Sequence, residues 1–147
     1  MVNIRTKGQS GERDVCNMCN EIVIEVRKRL KLPDLDNRDL PFQRNTLQSA
    51  IGGDDITNPF KLSIEVKRQE ALSINTWWKQ CKQSCARFEG NIPILIFKQN
   101  RKPWRVMMET YVPLQGNLAY GPIRVEISIE DFKGWLLNYI LREYESR

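Results

Sequence analysis

The chain contains no histidine. With imidazole go the commonest general base near neutral pH, Ser-His-Asp and Cys-His nucleophilic catalysis, and the histidine-metal nuclease motifs. Any chemistry must therefore run on carboxylates, lysine and a metal. Long apolar runs are missing as well: residues 92–97 make one of the longest, far short of the roughly 20 needed to cross a bilayer. No membrane span is expected. Residues 1–13 are polar and charged and lack the apolar stretch of about 7–15 residues that marks a secretory signal, so the expected location is a cytoplasm. Cysteine is sparse, with Cys16, Cys19, Cys81 and Cys85 only, and in a reducing compartment these read as thiols. Acids are outnumbered, 18 against 23 Lys and Arg, for a net charge of +5. That surplus favours a polyanionic partner, nucleic acid first. What is present suffices for folding: 147 residues, 41% hydrophobic and 28% charged, predict one compact domain, residues 1–147, with one core.

Along the chain, residues 8–13 form a polar, glycine-containing entry that reads as flexible. Val15, Cys19, Ile22, Val23, Val26 and Leu30 then recur at helical spacing, with Glu21, Glu25, Arg27 and Lys28 opposite. This predicts an amphipathic helix of about five turns that stops before Pro33. An aperiodic polar loop follows to Pro41. Residues 42–49 are a candidate strand, Gly52-Gly53 a turn, and Asp54-Asp55-Ile56 leads to a second turn at Asn58-Pro59. In residues 61–68, Leu62, Ile64 and Val66 alternate with Ser63, Glu65 and Lys67, so one face of a strand is aliphatic and the other polar. A helix is predicted over residues 74–88 and an apolar strand suited to the middle of a sheet over 92–99. A partner strand follows over 104–109 across the basic turn 100–103, and a further strand over 123–127. Ser128 offers an N-cap, with Asp131 three residues on, to a terminal helix carrying Phe132, Leu136, Ile140 and Leu141.

Chemistry concentrates at Asp55 and, ten residues later, Glu65 and Lys67. Two strands joined by a short turn bring an Asp on the first beside a Glu on the second, which supplies hard oxygen ligands for Mg²⁺. Lys67 shares the face of Glu65, where an ammonium can acidify a water or stabilise the charge of a phosphate under attack. A Glu-x-Lys strand also arises as a solvated ion pair of little energetic worth.

Three segments carry a resemblance. Lys7-Gly8-Gln9-Ser10-Gly11-Glu12-Arg13, Gly52-Gly53-Asp54-Asp55-Ile56 and Ile64-Glu65-Val66-Lys67 resemble, in order and spacing, the opening helix motif, the Gly-rich Asp turn and the Glu-x-Lys strand of the PD-(D/E)XK nuclease superfamily. Residues 75–80, 92–95 and 99–105 resemble segments of phage proteins of this group, some uncharacterised and some Holliday junction resolvases. The resemblance implies an α/β, restriction-endonuclease-like fold, αβββαβ, with a central mixed β-sheet flanked by helices. It implies Asp55 and Glu65 as ligands of Mg²⁺ or Mn²⁺, Lys67 as the group that assists water, and Glu12 as a further carboxylate from the first helix. If a phage encodes the chain, the cytoplasm is that of the host cell. The family's Pro-Asp is absent here, and the tandem Asp54-Asp55 leaves two candidates. Asp55 is preferred because Ile56 then takes the core side.

Lys98, Arg101, Lys102 and Arg105 lie within eight positions that contain no acid, a pattern suited to phosphate contacts and equally to a solvated hairpin. With Lys7 and Arg13 they are the candidate DNA contacts. Trp77 and Trp78 are adjacent on a helix, which favours packing over base stacking. Gln80 and Gln83 follow the Glu-x-Lys strand, where related nucleases often place a glutamine near the metal; ordinary helix polarity explains them as well. Cys16-x-x-Cys19 and Cys81-x-x-x-Cys85 raise a structural zinc site, against which both pairs fall inside predicted helices, where small buried cysteines are common. The resulting expectation is a Mg²⁺-dependent endonuclease that resolves four-way DNA junctions as a homodimer, since paired nicks on symmetric strands match two centres on a twofold axis. A nuclease acting on ends, flaps or duplex, a non-catalytic DNA-binding protein on the same scaffold, and a zinc-stabilised module are the alternatives.

Overall fold

A computed structural model describes residues 4–46 and 54–147. The first element is a long helix, α1, Ile4–Arg29. It takes in residues 8–13, so the polar entry expected to be flexible is helical. Two glycines are not enough to stop a helix whose next turns are anchored by packing. Val15, Cys19, Val23 and Val26 are completely buried, as their spacing predicts. The end is closed by Lys31 at φ 56° and by the Leu32 N–H, which donates to the Arg27 carbonyl at 2.9 Å. Arg27, Lys28 and Arg29 in the last turn complement the negative end of the helix dipole.

A short 3-10 turn, Asn37–Asp39, leads into two brief strands, β1 at Gln43–Arg44 and β2 at Ile56–Thr57. The strand expected over residues 42–49 is thus described only at Gln43–Arg44; its end and the Gly52-Gly53 turn lie outside the described residues. β3, Leu62–Arg68, is followed by helix α2, Ile74–Cys85, and by β4, Ile92–Lys98. β5, Arg105–Pro113, and β6, Ala119–Ser128, form a hairpin longer than the expected pair, and α3, Ile129–Glu145, closes the fold. The cap of α3 is as predicted: Ser128 Oγ accepts the Asp131 N–H at 3.0 Å.

The six strands make one sheet in the order β1-β2-β3-β4-β5-β6. Only β3 and β4 run parallel, joined through α2; the other neighbours are antiparallel. This is the α/β arrangement of a restriction-endonuclease-like fold. One face of the sheet, with Ile64, Val66, Ile94, Ile96, Val106 and Met108, packs against α1 and α3. The alternate residues Leu95, Phe97 and Met107 pack against Trp77 and Cys81 of α2. Helices therefore cover both faces of β3 and β4. That is why Ser63 and Glu65, polar in the alternation, are buried. Asn20 of α1 ties β1 in place, donating to the Phe42 carbonyl at 2.9 Å and accepting its N–H at 3.0 Å.

No helix among the described residues is long and apolar enough to cross a membrane. Cys16 and Cys19 lie in the core under α1, Cys81 and Cys85 on α2 across the sheet, and all four are free and buried. The two pairs cannot share one ion, and among the described residues no thiolate quartet assembles.

Candidate active site

β3 carries the acidic face, and the chain entering β2 brings its partner. Asp55, 5% exposed, is held at both peptides that flank Glu65. Its N–H donates to the Ile64 carbonyl at 3.0 Å, and its Oδ2 accepts the Val66 N–H at 2.7 Å. A side-chain oxygen thus extends the strand ladder just ahead of β2, which fixes the Asp55 carboxylate beside Glu65. Asn45, just past β1, straps the same turn: its N–H donates to the Asp55 carbonyl and its Nδ2 to the Asp54 carbonyl, both at 2.9 Å. Ile56 is fully buried, the core-side placement on which the choice of Asp55 was made.

Glu65 is 7% exposed. Its Oε1 lies 3.7 Å from Lys67 Nζ, and its Oε2 is buried without a hydrogen-bond partner. An orphaned carboxylate oxygen in a dry site is costly. Burial, and next the negative charge of Asp55, push the Glu65 carboxyl up to about 8, against the pull of Lys67. Asp54 is half-buried rather than turned to the opposite side; desolvation raises it to about 6, although a hydrogen bond to Ser63 favours its ionised form. The tandem aspartates therefore both bear on Glu65, Asp55 more strongly.

Glu12 comes from α1 and reaches the same centre. Its carboxyl is raised first by desolvation and then by Asp55, while Arg44 and Lys67 act to lower it. Arg44 Nε holds Glu12 Oε2 at 3.1 Å. Sequence reasoning missed Arg44, which carries no motif and becomes relevant only because β1 runs beside α1. It also left Ser63 without a role, although the polar alternation of β3 singled it out. Asn91 Nδ2 donates to Ser63 Oγ at 3.0 Å, so that hydroxyl is oriented from the start of β4.

The remaining candidates are dispersed. Arg13, Arg101 and Lys102 are exposed. Lys98 lies over the Trp104 ring at 5.1 Å. The Arg105 guanidinium is already paired with both oxygens of Glu126, each at 2.7 Å. Lys7 falls within α1. Gln80 and Gln83 are exposed on α2, and Trp77 is buried in the second core with Trp78 packed against it.

The donor set suits a hard divalent cation. Burial and the charge of Asp55 both raise the Glu65 carboxyl, and one Glu65 oxygen is buried without a partner; a cation held at this pair would relieve both. Among the described residues no group of three or more Asp, Glu, Cys or His is placed to hold a metal ion.

A family model described as "Phage putative PDDEXK endonuclease" matches residues 3–134. The chain belongs to this endonuclease family. The matched span runs from α1 into α3 and includes Glu12, Asp55, Glu65 and Lys67. The PD-(D/E)XK resemblance of the three quoted segments is accordingly one of membership, and a nuclease family implies DNA as the substrate. Searches of curated proteins and of solved structures found no match.

Proposed function

We propose that this endonuclease cleaves phosphodiester bonds in branched DNA and resolves four-way junctions, using Mg²⁺ or Mn²⁺ held by Asp55 and Glu65. The observation that supports it most is the buried Asp55–Glu65 pair, with an orphaned oxygen on Glu65 and the Lys67 ammonium 3.7 Å from the other. When bound, the cation neutralises charge at the scissile phosphate and acidifies a nearby water. Lys67 assists the attacking water and supplies a positive charge near the phosphate. Glu12, steadied by Arg44, provides a further carboxylate at the mouth. Water adds to phosphorus and gives up a proton, one P–O bond breaks, and the leaving oxygen takes up a proton, so that none is gained or lost overall.

Lys7, Arg13, Lys98, Arg101 and Lys102 fit phosphate contacts that fix register without reading sequence. Arg105 must leave Glu126 to join them. The branched substrate rests on the resolvase resemblance of residues 75–80, 92–95 and 99–105, and paired nicking of a junction calls for a twofold homodimer. The decisive experiment incubates purified protein with a four-way junction, a flap, a duplex and a single strand, with Mg²⁺ and with chelator. Paired, chelator-sensitive nicks in the junction are expected. Cleavage confined to ends, flaps or duplex would replace the substrate, and binding without cleavage of any substrate would leave a DNA-binding scaffold.

A further inference from the structure

β6 is the last strand of the sheet, and among the described residues no strand lies beyond it. Past the bulge and the Gly121-Pro122 bond, residues 123–128 make a regular edge, which invites pairing with another chain unless it is blocked. Its central residues read Ile123-Arg124-Val125-Glu126-Ile127. Turned antiparallel on itself about Val125, this segment places Arg124, which within its own chain donates to Asn75, opposite Glu126 of a second copy, whose carboxylate it would share with that copy's Arg105, and the reverse. On the other face Ile123 meets Ile127. Both kinds of cross-strand pair are favourable.

The flanks of the edge match in the same sense. At one end residues 110–122 are thirteen consecutive exposed positions, where Tyr111, Leu114, Leu118 and Tyr120 are 53–66% exposed. Residues 110–123 contain no charged side chain, which suits an apolar protein surface and not a phosphate backbone. At the other end of β6 lies a hollow whose apolar lining is Pro103, Trp104, Ile127 and Ile129. A twofold axis through Val125 pairs residues 123–127 with their copies, and beyond the bulge at residues 121–122 the arm that carries Tyr120 runs past the partner's Ser128 toward that hollow, twice.

We propose that a second copy of this chain docks along β6, extending the sheet by antiparallel β6–β6 pairing and seating each uncharged arm beside the partner's Trp104 hollow. This gives a surface to the twofold partnership proposed above and rests on that part of the functional reading alone. A twofold axis perpendicular to the sheet also keeps both acidic centres on one face of the extended sheet. The exposed arm, the hollow and the strand between them provide on the order of the 20–30 residues per side of a standard interface.

The test is the solution mass at tens of micromolar protein, by light scattering on a sizing column, without DNA or metal, so that its outcome is separate from the outcome of any cleavage assay. Twice the 17.3 kDa chain mass is expected. The double variant Leu118→Asp/Tyr120→Asp, at positions 66% and 65% exposed, should halve that mass while still melting in a single cooperative transition. Arg124→Glu and Glu126→Arg should each be monomeric alone, because each homodimer would set like charges opposite one another, and an equimolar mixture should recover the dimer mass. A monomeric wild type, a dimer indifferent to the arm variant, or a mixture no heavier than its parts would overturn the proposal. Loss of DNA binding by the arm variant with no change in mass would assign the arm to DNA and overturn it equally.

Discussion

The two faces of β3 differ by one step along the chain and by opposite physical logic. Ile64 and Val66 face α1 and α3 and lose water at a gain. Ser63 and Glu65 are almost as deeply buried, yet Glu65 keeps an oxygen without a partner and stands against a second buried carboxylate. A fold does not retain such a group for stability. Where burial is equal and compensation is not, the uncompensated face is the one expected to do chemistry.

The sharpest way to break this comparison is to change each face in turn. Asp55→Asn or Glu65→Gln should reduce metal-dependent cleavage to background, leave DNA affinity nearly intact, and leave the melting temperature equal or higher. Ile64→Ala should do the reverse, lowering stability by about 2–5 kcal/mol while cleavage per folded molecule persists at low temperature. Single-turnover rates and thermal melts on the same preparations check both. If Glu65→Gln destabilises as much as Ile64→Ala, Glu65 is a structural residue and the contrast between the faces fails.

Lys67 sharpens the picture within the polar face. Lys67→Ala is expected to leave metal-dependent DNA binding intact and to slow cleavage by about 10²-fold or more, with little rescue by Lys67→Arg, since a guanidinium does not release a proton. Wild-type single-turnover rates in Lys67→Ala would reduce the 3.7 Å contact with Glu65 to an ion pair.

A smaller effect separates the faces by pH. Folded Glu65, Asp54 and Glu12 all hold protons more tightly than their ordinary values, so between pH 5 and about 8 the unfolded chain has released more protons than the folded one. Their contribution to stability is full below the ordinary carboxylate range and falls as pH rises toward about 8, the value for Glu65. The melting temperature of metal-free protein should therefore decline over this range, Glu65→Gln should remove most of the decline, and saturating Mg²⁺ should flatten it. A melting temperature that rises across the window would contradict the burial argument. The smallest effect concerns the basic hairpin: Lys102→Ala should reduce the slope of log affinity against log salt by about one, and Arg105→Ala by less, because Glu126 already neutralises it.

Much of the scaffold was legible because periodicity reports burial directly. The α1 stripe, the alternation in β3, the apolar β4 and the Ser128 cap all appear where the spacing puts them. The start of α1 was misread because glycine and polar residues weaken local propensity, whereas residence in a helix was settled by the packing of later turns. The β5–β6 hairpin runs past its expected ends because cross-strand pairing, not apolar content, extends it. In the centre, Asp55, Glu65 and Lys67 were visible as a short pattern, while Arg44, Asn45 and Asn91 were not, since each acts through a partner distant in sequence: Glu12, the Asp54-Asp55 turn and Ser63.

By itself, then, the sequence determined which strand is two-sided, which chemistry is excluded by the lack of histidine, and which residues share the face of Glu65, because these follow from side-chain type and the two-residue period of a strand. Only the tertiary structure decided that the polar face is sealed. α2 lies over it, Asp55 grips the peptides on either side of Glu65, and α1 adds Glu12 from the side. Desolvation is a property of what surrounds a group, and for Glu65 those surroundings come from segments far apart in the chain.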